Sequence, residues 1–227
     1  MTVSDRRDAL KTSAKTAALS ALLQGYAANA AALIDRYEAI SFDRLHRPSI
    51  RFFPKAPAHV MDVGAGTGRD AARLAHMGHK VVAAEPLDAF RCFGARRHPS
   101  PLIDWRNACL PLLSGVPTPP RGFDLVLATA CWMHLPKPER RRAMARIADM
   151  LAPDGAFILT IRHGPAPIDR TMFDVTPGET ISLARQSGLW LAMHRQEPSV
   201  QGENRHAGVT WTRLAFRNAP PGSAVDQ

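Results

Sequence analysis

The chain has 227 residues and a formal net charge of +9, and 45% of its residues are hydrophobic. This length suits one α/β domain with an N-terminal extension and is sufficient to bury a full core. The sequence contains no run of about 18 apolar residues, so we expect no membrane-spanning helix and no membrane partner.

The positive charge is scattered along the chain, which makes it only a weak indication of nucleic-acid binding. The three cysteines, Cys92, Cys109 and Cys131, form no C-x-x-C pair. Unpaired cysteines are typical of proteins in a reducing compartment, so we predict a cytoplasmic protein.

Residues 1–47 are predicted to form a helical extension, with small and apolar side chains at helical spacing over residues 14–22. A second helix is predicted from Ala31 to about Arg47, and prolines after it lead into the first strand. Arg6 and Arg7 also resemble part of a twin-arginine export signal. Lys15 interrupts the apolar stretch that such a signal needs, and this favours the helical extension.

A short apolar strand beginning at His59 is followed by a glycine turn and a helix start, with Thr67 predicted as the N-cap. The glycines follow the pattern G-x-G-x-G at Gly64, Gly66 and Gly68. Glycine lets the backbone adopt positive φ and lets a ligand approach the main chain. A dinucleotide fingerprint would have a third glycine where this chain has Arg69, so dehydrogenase activity is the weakest interpretation.

This stretch, with Asp62 ahead of the glycines, closely resembles motif I of the class I S-adenosylmethionine-dependent methyltransferases. The resemblance covers residues 31–217 and is strongest over residues 59–161. It implies S-adenosylmethionine as the cofactor. It also implies a cofactor site whose first part is formed by Asp62, Gly64, Ala65, Gly66 and Gly68.

Glu85 follows the second predicted strand, about twenty residues after Gly64, where a carboxylate can accept hydrogen bonds from both ribose hydroxyls. Leu87 is expected to pack against the adenine ring. Asn107 stands where the family has an aspartate that meets the adenine amino group, and its amide oxygen can accept the same bond. Asp104 is the alternative for this contact.

The fourth strand is predicted over residues 123–129, and the family resemblance adds Thr129 and Ala130 at its end to the cofactor site. His134 follows as a candidate general base or as an anchor for the loop. Cys131 and His134 together are too few for a metal site, so we predict no metal. Tyr37 is a second catalytic candidate, because related enzymes place an aromatic residue of an N-terminal helix over the cofactor, although it could simply pack on the sheet.

A helix is predicted from Pro138, with a basic outer face formed by Arg140, Arg141, Arg142 and Arg146. A fifth strand then ends at Ile161, and residues 162–173 are predicted to be a loop near the reacting methyl group. His163 in that loop is the first choice for a general base, because imidazole titrates near neutral pH. A structural histidine bonded to the backbone is the alternative.

The alternation of strands and helices predicts an α/β three-layer sandwich. The resemblance implies a seven-stranded, mostly parallel Rossmann-like sheet with an antiparallel last strand. We predict an N-terminal extension over the cofactor pocket (1–47), a methyltransferase domain (48–217) and a flexible tail (218–227). The expected activity is in-line methyl transfer to a small-molecule acceptor. A nucleic-acid methyltransferase and a non-catalytic S-adenosylmethionine-binding protein are the alternatives.

Overall fold

The computed structural model describes residues 18–218. The twin-arginine interpretation and most of the predicted tail concern residues outside this range. The described chain begins with helical residues 18–28 (α1), followed by α2 (Ala30–Glu38), α3 (Phe42–His46) and a short 3-10 turn at Ile50–Phe52. Among residues 18–218, no helix combines the length and apolarity needed to cross a bilayer.

Seven strands and five further helices follow in largely alternating order. The strands are β1 (His59–Val63), β2 (Lys80–Ala84), β3 (Ile103–Arg106), β4 (Phe123–Ala128), β5 (Leu151–His163), β6 (Leu189–Pro198) and β7 (Thr210–Asn218). The helices are α4 (Arg69–His76), α5 (Asp88–Arg97), α6 (Lys137–Met150), α7 (Pro177–Gln186) and α8 (Gly202–His206). A further 3-10 turn, Trp132–His134, follows β4.

The strands form one sheet in the order β3-β2-β1-β4-β5-β7-β6. The pairs from β3 to β5 are parallel, whereas β7 is antiparallel to both β5 and β6. This arrangement confirms the predicted fold class.

Side chains of the central strands alternate between two core layers, as the two-residue period of a strand requires. On β1, Val60 belongs to the same apolar cluster as Leu74 of α4, while Met61 belongs to the cluster on the other face, which includes Ile147 of α6. All of these side chains are fully buried. Helices therefore cover both faces of the sheet, and ligands can reach it only at the ends of the strands.

The helix predicted from Ala31 to Arg47 is divided into α2 and α3. Ser41 has extended backbone angles, and its hydroxyl accepts a hydrogen bond from the Arg44 amide at 3.3 Å, which starts a new helix. The predicted N-cap Thr67 is also wrong. Gly68, at φ +83°, occupies the position before α4, and the Thr67 side chain is buried instead.

The prediction that Arg140 lies on the outer face of α6 is wrong as well. Arg140 is only 3% exposed, and its Nε and Nη2 donate to the two carboxylate oxygens of Glu179 on α7, both at 3.0 Å. Its Nη1 donates to the carbonyl of Leu135 at 2.7 Å. Arg141 and Arg142 are exposed, as predicted.

Candidate functional site

A pocket of about 420 Å³ lies at the carboxyl ends of β1, β2, β4 and β5. Helices α1 and α2 line one side of it, and the loop after β5 and the connection between β6 and β7 line the other. This is the edge of the sheet where open α/β folds bind ligands, next to the point at which strand order reverses between β1 and β4.

The glycine turn after β1 forms the floor of the pocket. Gly64 and Gly66 have φ of +68° and +57°. The amides of Gly64 and Ala65 both donate to the carbonyl of Ala84, which joins the turn to the end of β2. A Cβ on Gly64 would lie 3.0 Å from the Cβ of Cys131, so the chain fits closely there. The turn thus exposes main-chain atoms to the pocket without a side chain in front of them.

Glu85 follows β2 and is only 6% exposed. Its Oε2 accepts the Gly66 amide at 2.9 Å and its Oε1 accepts the Leu87 amide at 2.8 Å. Burial raises the pKa of Glu85, although these two hydrogen bonds oppose the shift. Each carboxylate oxygen retains a lone pair, so the group can accept two further hydrogen bonds, as a vicinal diol would require.

Asp62 is buried at the end of β1 and lines the pocket. Burial raises its pKa well above the usual value, and the neighbouring carboxylates of Asp70 and Glu85 raise it further. A positively charged ligand group would relieve this repulsion, because an opposite charge favours the ionised form of a carboxyl group. The glycine turn and two buried carboxylates therefore make this end of the pocket suitable for a cationic ligand with hydroxyl groups.

A buried ion-pair network connects the turn to α2 and α3. Asp70 accepts from Nε2 of His46 on α3 and from Nε of Arg69, both at 2.8 Å. Arg69 also donates to the carbonyl of Tyr37 at 3.0 Å. Burial raises the pKa of Asp70, but His46 and Arg69 outweigh that effect and hold it well below its usual range. Arg69, which replaces the third glycine of a dinucleotide fingerprint, thus connects α2 to the glycine turn.

The end of β4 provides the opposite wall. Thr129 and Ala130 line the pocket, and Ala130 adopts φ +58° while its amide donates to Oγ1 of Thr160 at 2.8 Å. Leu87 lies on the adjacent wall. It belongs to a small apolar cluster with Leu33 of α2 and Phe90 of α5. This cluster attaches helices α1 and α2, together called the cover, to this side of the pocket.

His134 lies in the pocket and contacts both the cover and the loop after β5. Its Nδ1 is 2.7 Å from the carbonyl of Thr171, and its Nε2 is 2.8 Å from the hydroxyl of Tyr26 on α1. A carbonyl only accepts hydrogen bonds, so Nδ1 carries the proton and the Tyr26 hydroxyl donates to Nε2. Burial lowers the pKa of His134, the hydrogen bond to the Thr171 carbonyl opposes this shift, and Arg170 adds to it, so the net effect favours the neutral imidazole.

Two tyrosines of the cover face the pocket. Tyr37 lies over the glycine turn, where a Cβ on Gly66 would be 3.8 Å from its Cδ2. Its hydroxyl accepts from Nη1 of Arg170 at 3.5 Å, and the Arg170 guanidinium lies 5.0 Å from the centre of the Tyr26 ring. Tyr26 is not among the site residues predicted from the sequence. Its only signal was an aromatic residue within a mostly small and apolar helix, and its contact with His134 spans 108 positions.

Three predicted site residues lie elsewhere. His163 belongs to β5, where its Nε2 is 2.8 Å from Oγ1 of Thr212, and it does not line the pocket. Asn107 is exposed and outside the pocket lining, which contains Cys109 instead. Gly68 also lies outside the pocket lining. It packs closely against Trp105, since a Cβ at this position would come within 2.6 Å of the Trp105 ring.

A family model described as a methyltransferase domain matches residues 60–155, the segment that contains the turn, Glu85 and His134. Residues 60–155 form a methyltransferase domain. The predicted resemblance to class I methyltransferases is therefore confirmed, and the predicted S-adenosylmethionine cofactor agrees with this domain type.

Curated relatives of the methyltransferase domain match over only part of their length. An uncharacterised methyltransferase of Geobacillus kaustophilus is 28% identical over 46% of this chain and 46% of its own. A protein-L-isoaspartate O-methyltransferase of Aeromonas hydrophila is 28% identical over 63% of this chain and 59% of its own. The chain thus spans about half the length of the curated relatives it matches.

The same fold occurs in solved methyltransferase structures. The Burkholderia thailandensis 1,6-didemethyltoxoflavin-N1-methyltransferase, with bound 1,6-didemethyltoxoflavin and S-adenosylhomocysteine, has a TM-score of 0.69 at 21% identity and covers 88% of each chain. The magnesium protoporphyrin IX methyltransferase from Synechocystis, with bound S-adenosylmethionine, has a TM-score of 0.59 at 14% identity, covering 78% of this chain and 77% of its own.

Proposed function

We propose that the protein transfers the methyl group of S-adenosylmethionine to a small-molecule acceptor bound under α1 and α2. The observation that supports this most strongly is the buried Glu85 carboxylate, fixed by two amides beside the glycine turn, with two lone pairs left for a ribose diol. The cofactor would be held by this carboxylate, by Asp62, and by pocket residues of the glycine turn and of the ends of β2 and β4: Gly64, Ala65, Gly66, Leu87, Thr129 and Ala130.

S-adenosylmethionine would supply an activated methyl group for in-line transfer. The chain contributes alignment of the two reactants and a dry pocket. His134 also offers an unprotonated Nε2 that can accept a proton from an acceptor hydroxyl or amine. The proton would pass through Tyr26, whose hydroxyl lies 2.8 Å from Nε2 and would give its own proton to Nε2 while taking one from the acceptor. Tyr37 lies over the turn and helps to position both reactants.

The pocket dimensions favour a small acceptor. The pocket volume of about 420 Å³ is within the range of small-molecule sites. Apolar side chains of α1, including Leu22 and Leu23, line one wall of the pocket. Two of the positively charged side chains, Arg140 and Arg213, are buried and do not contribute to a basic surface. We place the protein in the cytoplasm, where its three free cysteines would remain reduced.

A transfer experiment with methyl-labelled S-adenosylmethionine tests the proposal. The purified protein is incubated with a cell extract that is afterwards separated into small-molecule, nucleic-acid and protein fractions. Parallel reactions contain the Glu85→Ala variant, so that label transferred by enzymes of the extract can be subtracted. We expect label above this background in the small-molecule fraction.

Each other result identifies an alternative. Label in RNA or DNA would show that the positive charge serves nucleic-acid binding. Label in protein would identify a protein methyltransferase. S-adenosylhomocysteine binding without label in any fraction, over extracts from several growth conditions, would favour a non-catalytic cofactor-binding protein.

A further inference from the structure

Among residues 18–218, five arginines line the pocket, and four of them have a carboxylate partner within 4.0 Å. The pairs are Arg36 with Glu203, Arg69 with Asp70, Arg170 with Asp169, and Arg213 with Glu197. Arg162 is the exception, because no carboxylate in residues 18–218 pairs with it. A partly buried cation without a counter-charge is unfavourable, so a position of this kind suggests an anionic ligand.

Arg162 has the edge of its guanidinium available for such a ligand. It lies near the end of β5, and its Nη1 donates to the carbonyls of Gly164 and Pro165. These bonds use the two protons of Nη1 and hold the guanidinium plane in place. The Nε and Nη2 protons form no hydrogen bond to the described residues. This is the edge with which arginine binds both oxygens of a carboxylate.

The surroundings of Arg162 are basic and rich in hydrogen-bond donors. Burial lowers the pKa of Arg162, and the nearby charge of Arg170 lowers it further. Arg170 itself rests on the Tyr26 ring and contacts the Tyr37 hydroxyl. Asp169 offsets the charge of Arg170, so the pair of arginines has one uncompensated positive charge. One negative charge on a ligand would balance it, which favours a carboxylate over a phosphate dianion.

The two ends of the pocket therefore differ in charge. Asp62 and Glu85 lie beside the glycine turn, whereas Arg162 and Arg170 lie beside α1 and the loop after β5. We propose that Arg162, supported by Arg170, binds a carboxylate of the methyl acceptor, so that the acceptor is an apolar monocarboxylic acid. This inference rests on the proposed methyltransferase function, because it assigns the acidic end of the pocket to the cofactor.

Calorimetric titration of the S-adenosylhomocysteine complex tests the inference. The probes are benzoate, cinnamate and indole-3-acetate, each compared with its neutral primary amide. From the strength of charge-assisted hydrogen bonds, we expect at least one acid to bind about tenfold or more tightly than its amide. Arg162→Gln should abolish this preference, Arg162→Lys should retain part of it, and the control Arg146→Gln, on α6 outside the pocket, should leave it unchanged.

Any of three results overturns the inference. Acids and amides bind equally to the wild type, no acid binds at concentrations up to about 10 mM, or Arg162→Gln keeps the preference for the acid. A loss of S-adenosylhomocysteine affinity in Arg162→Gln would also overturn it, since Arg162 would then bind the cofactor. If the wild type does not bind S-adenosylhomocysteine, the proposed function fails, and the same titrations of the free protein then decide the role of Arg162.

Discussion

Replacement of Glu85 by glutamine tests the cofactor end of the pocket. Glutamine keeps the size of the side chain, but its single amide oxygen can accept only one of the two backbone amides that Glu85 now binds. Two charge-assisted bonds to ribose hydroxyls would also become neutral, at a cost of about 1 kcal/mol each. Rebuilding the turn around the unpaired amide adds about 1 kcal/mol.

We therefore expect Glu85→Gln to weaken S-adenosylhomocysteine binding by about 3 kcal/mol, which is roughly 150-fold in Kd. Isothermal titration calorimetry measures the change, and thermal unfolding checks that the variant is folded. Asp149→Asn, at an exposed carboxylate on α6, is the matched control and should bind as the wild type does. A folded Glu85→Gln protein whose Kd stays within about threefold of the wild-type value would refute the assignment of Glu85 to the ribose.

Three further predictions concern catalysis and stability. The rate of methyl transfer should fall as the pH decreases through the pKa of His134, which burial lowers from its usual value, because only neutral His134 accepts a proton; His134→Gln should abolish this step in the pH–rate profile. Gly68→Ala should destabilise the fold by about 2–4 kcal/mol in chemical denaturation, since φ is +83° and a Cβ would meet Trp105, whereas Gly178→Ala, in open space on α7, should be neutral or stabilising; equal effects would contradict the argument. Arg140→Gln should cost about 3–5 kcal/mol by leaving Glu179 unpaired, and Arg141→Gln, at an exposed neighbour, less than about 0.5 kcal/mol; similar losses would show that the buried pair contributes little.

Local sequence patterns and the family resemblance were sufficient to predict the fold and to place the glycine turn and Glu85 at the same edge of the sheet. The glycine turn and Glu85 each follow a short apolar strand, and parallel neighbouring strands bring their carboxyl ends together.

The predictions for His163 and Arg140 were wrong because contacts with residues distant in sequence determine where these side chains lie. Antiparallel pairing with β7 continues β5 as far as His163, so this residue lies in a strand rather than in a loop, bonded to Thr212 away from the pocket. Arg140 belongs to a basic run that suggests an exposed surface, but its partner Glu179 is 39 positions away. The sequence gives no signal for such a contact, because either side chain alone would be equally compatible with solvent.

The attachment of the cover to both halves of the sheet has a consequence for folding. Helices α1 and α2 are held to the second half of the chain by contacts of long sequence separation, 108 positions for Tyr26 with His134 and 140 positions for Asn29 with Asp169. Closing such large loops is entropically costly before the sheet exists, so these helices dock after the strands have paired. Their amides should consequently exchange with solvent deuterium faster than those of β1 and β4, through local opening that leaves the sheet intact. We therefore expect the sheet to fold first and the complete pocket to form in a later step, when α1 and α2 dock.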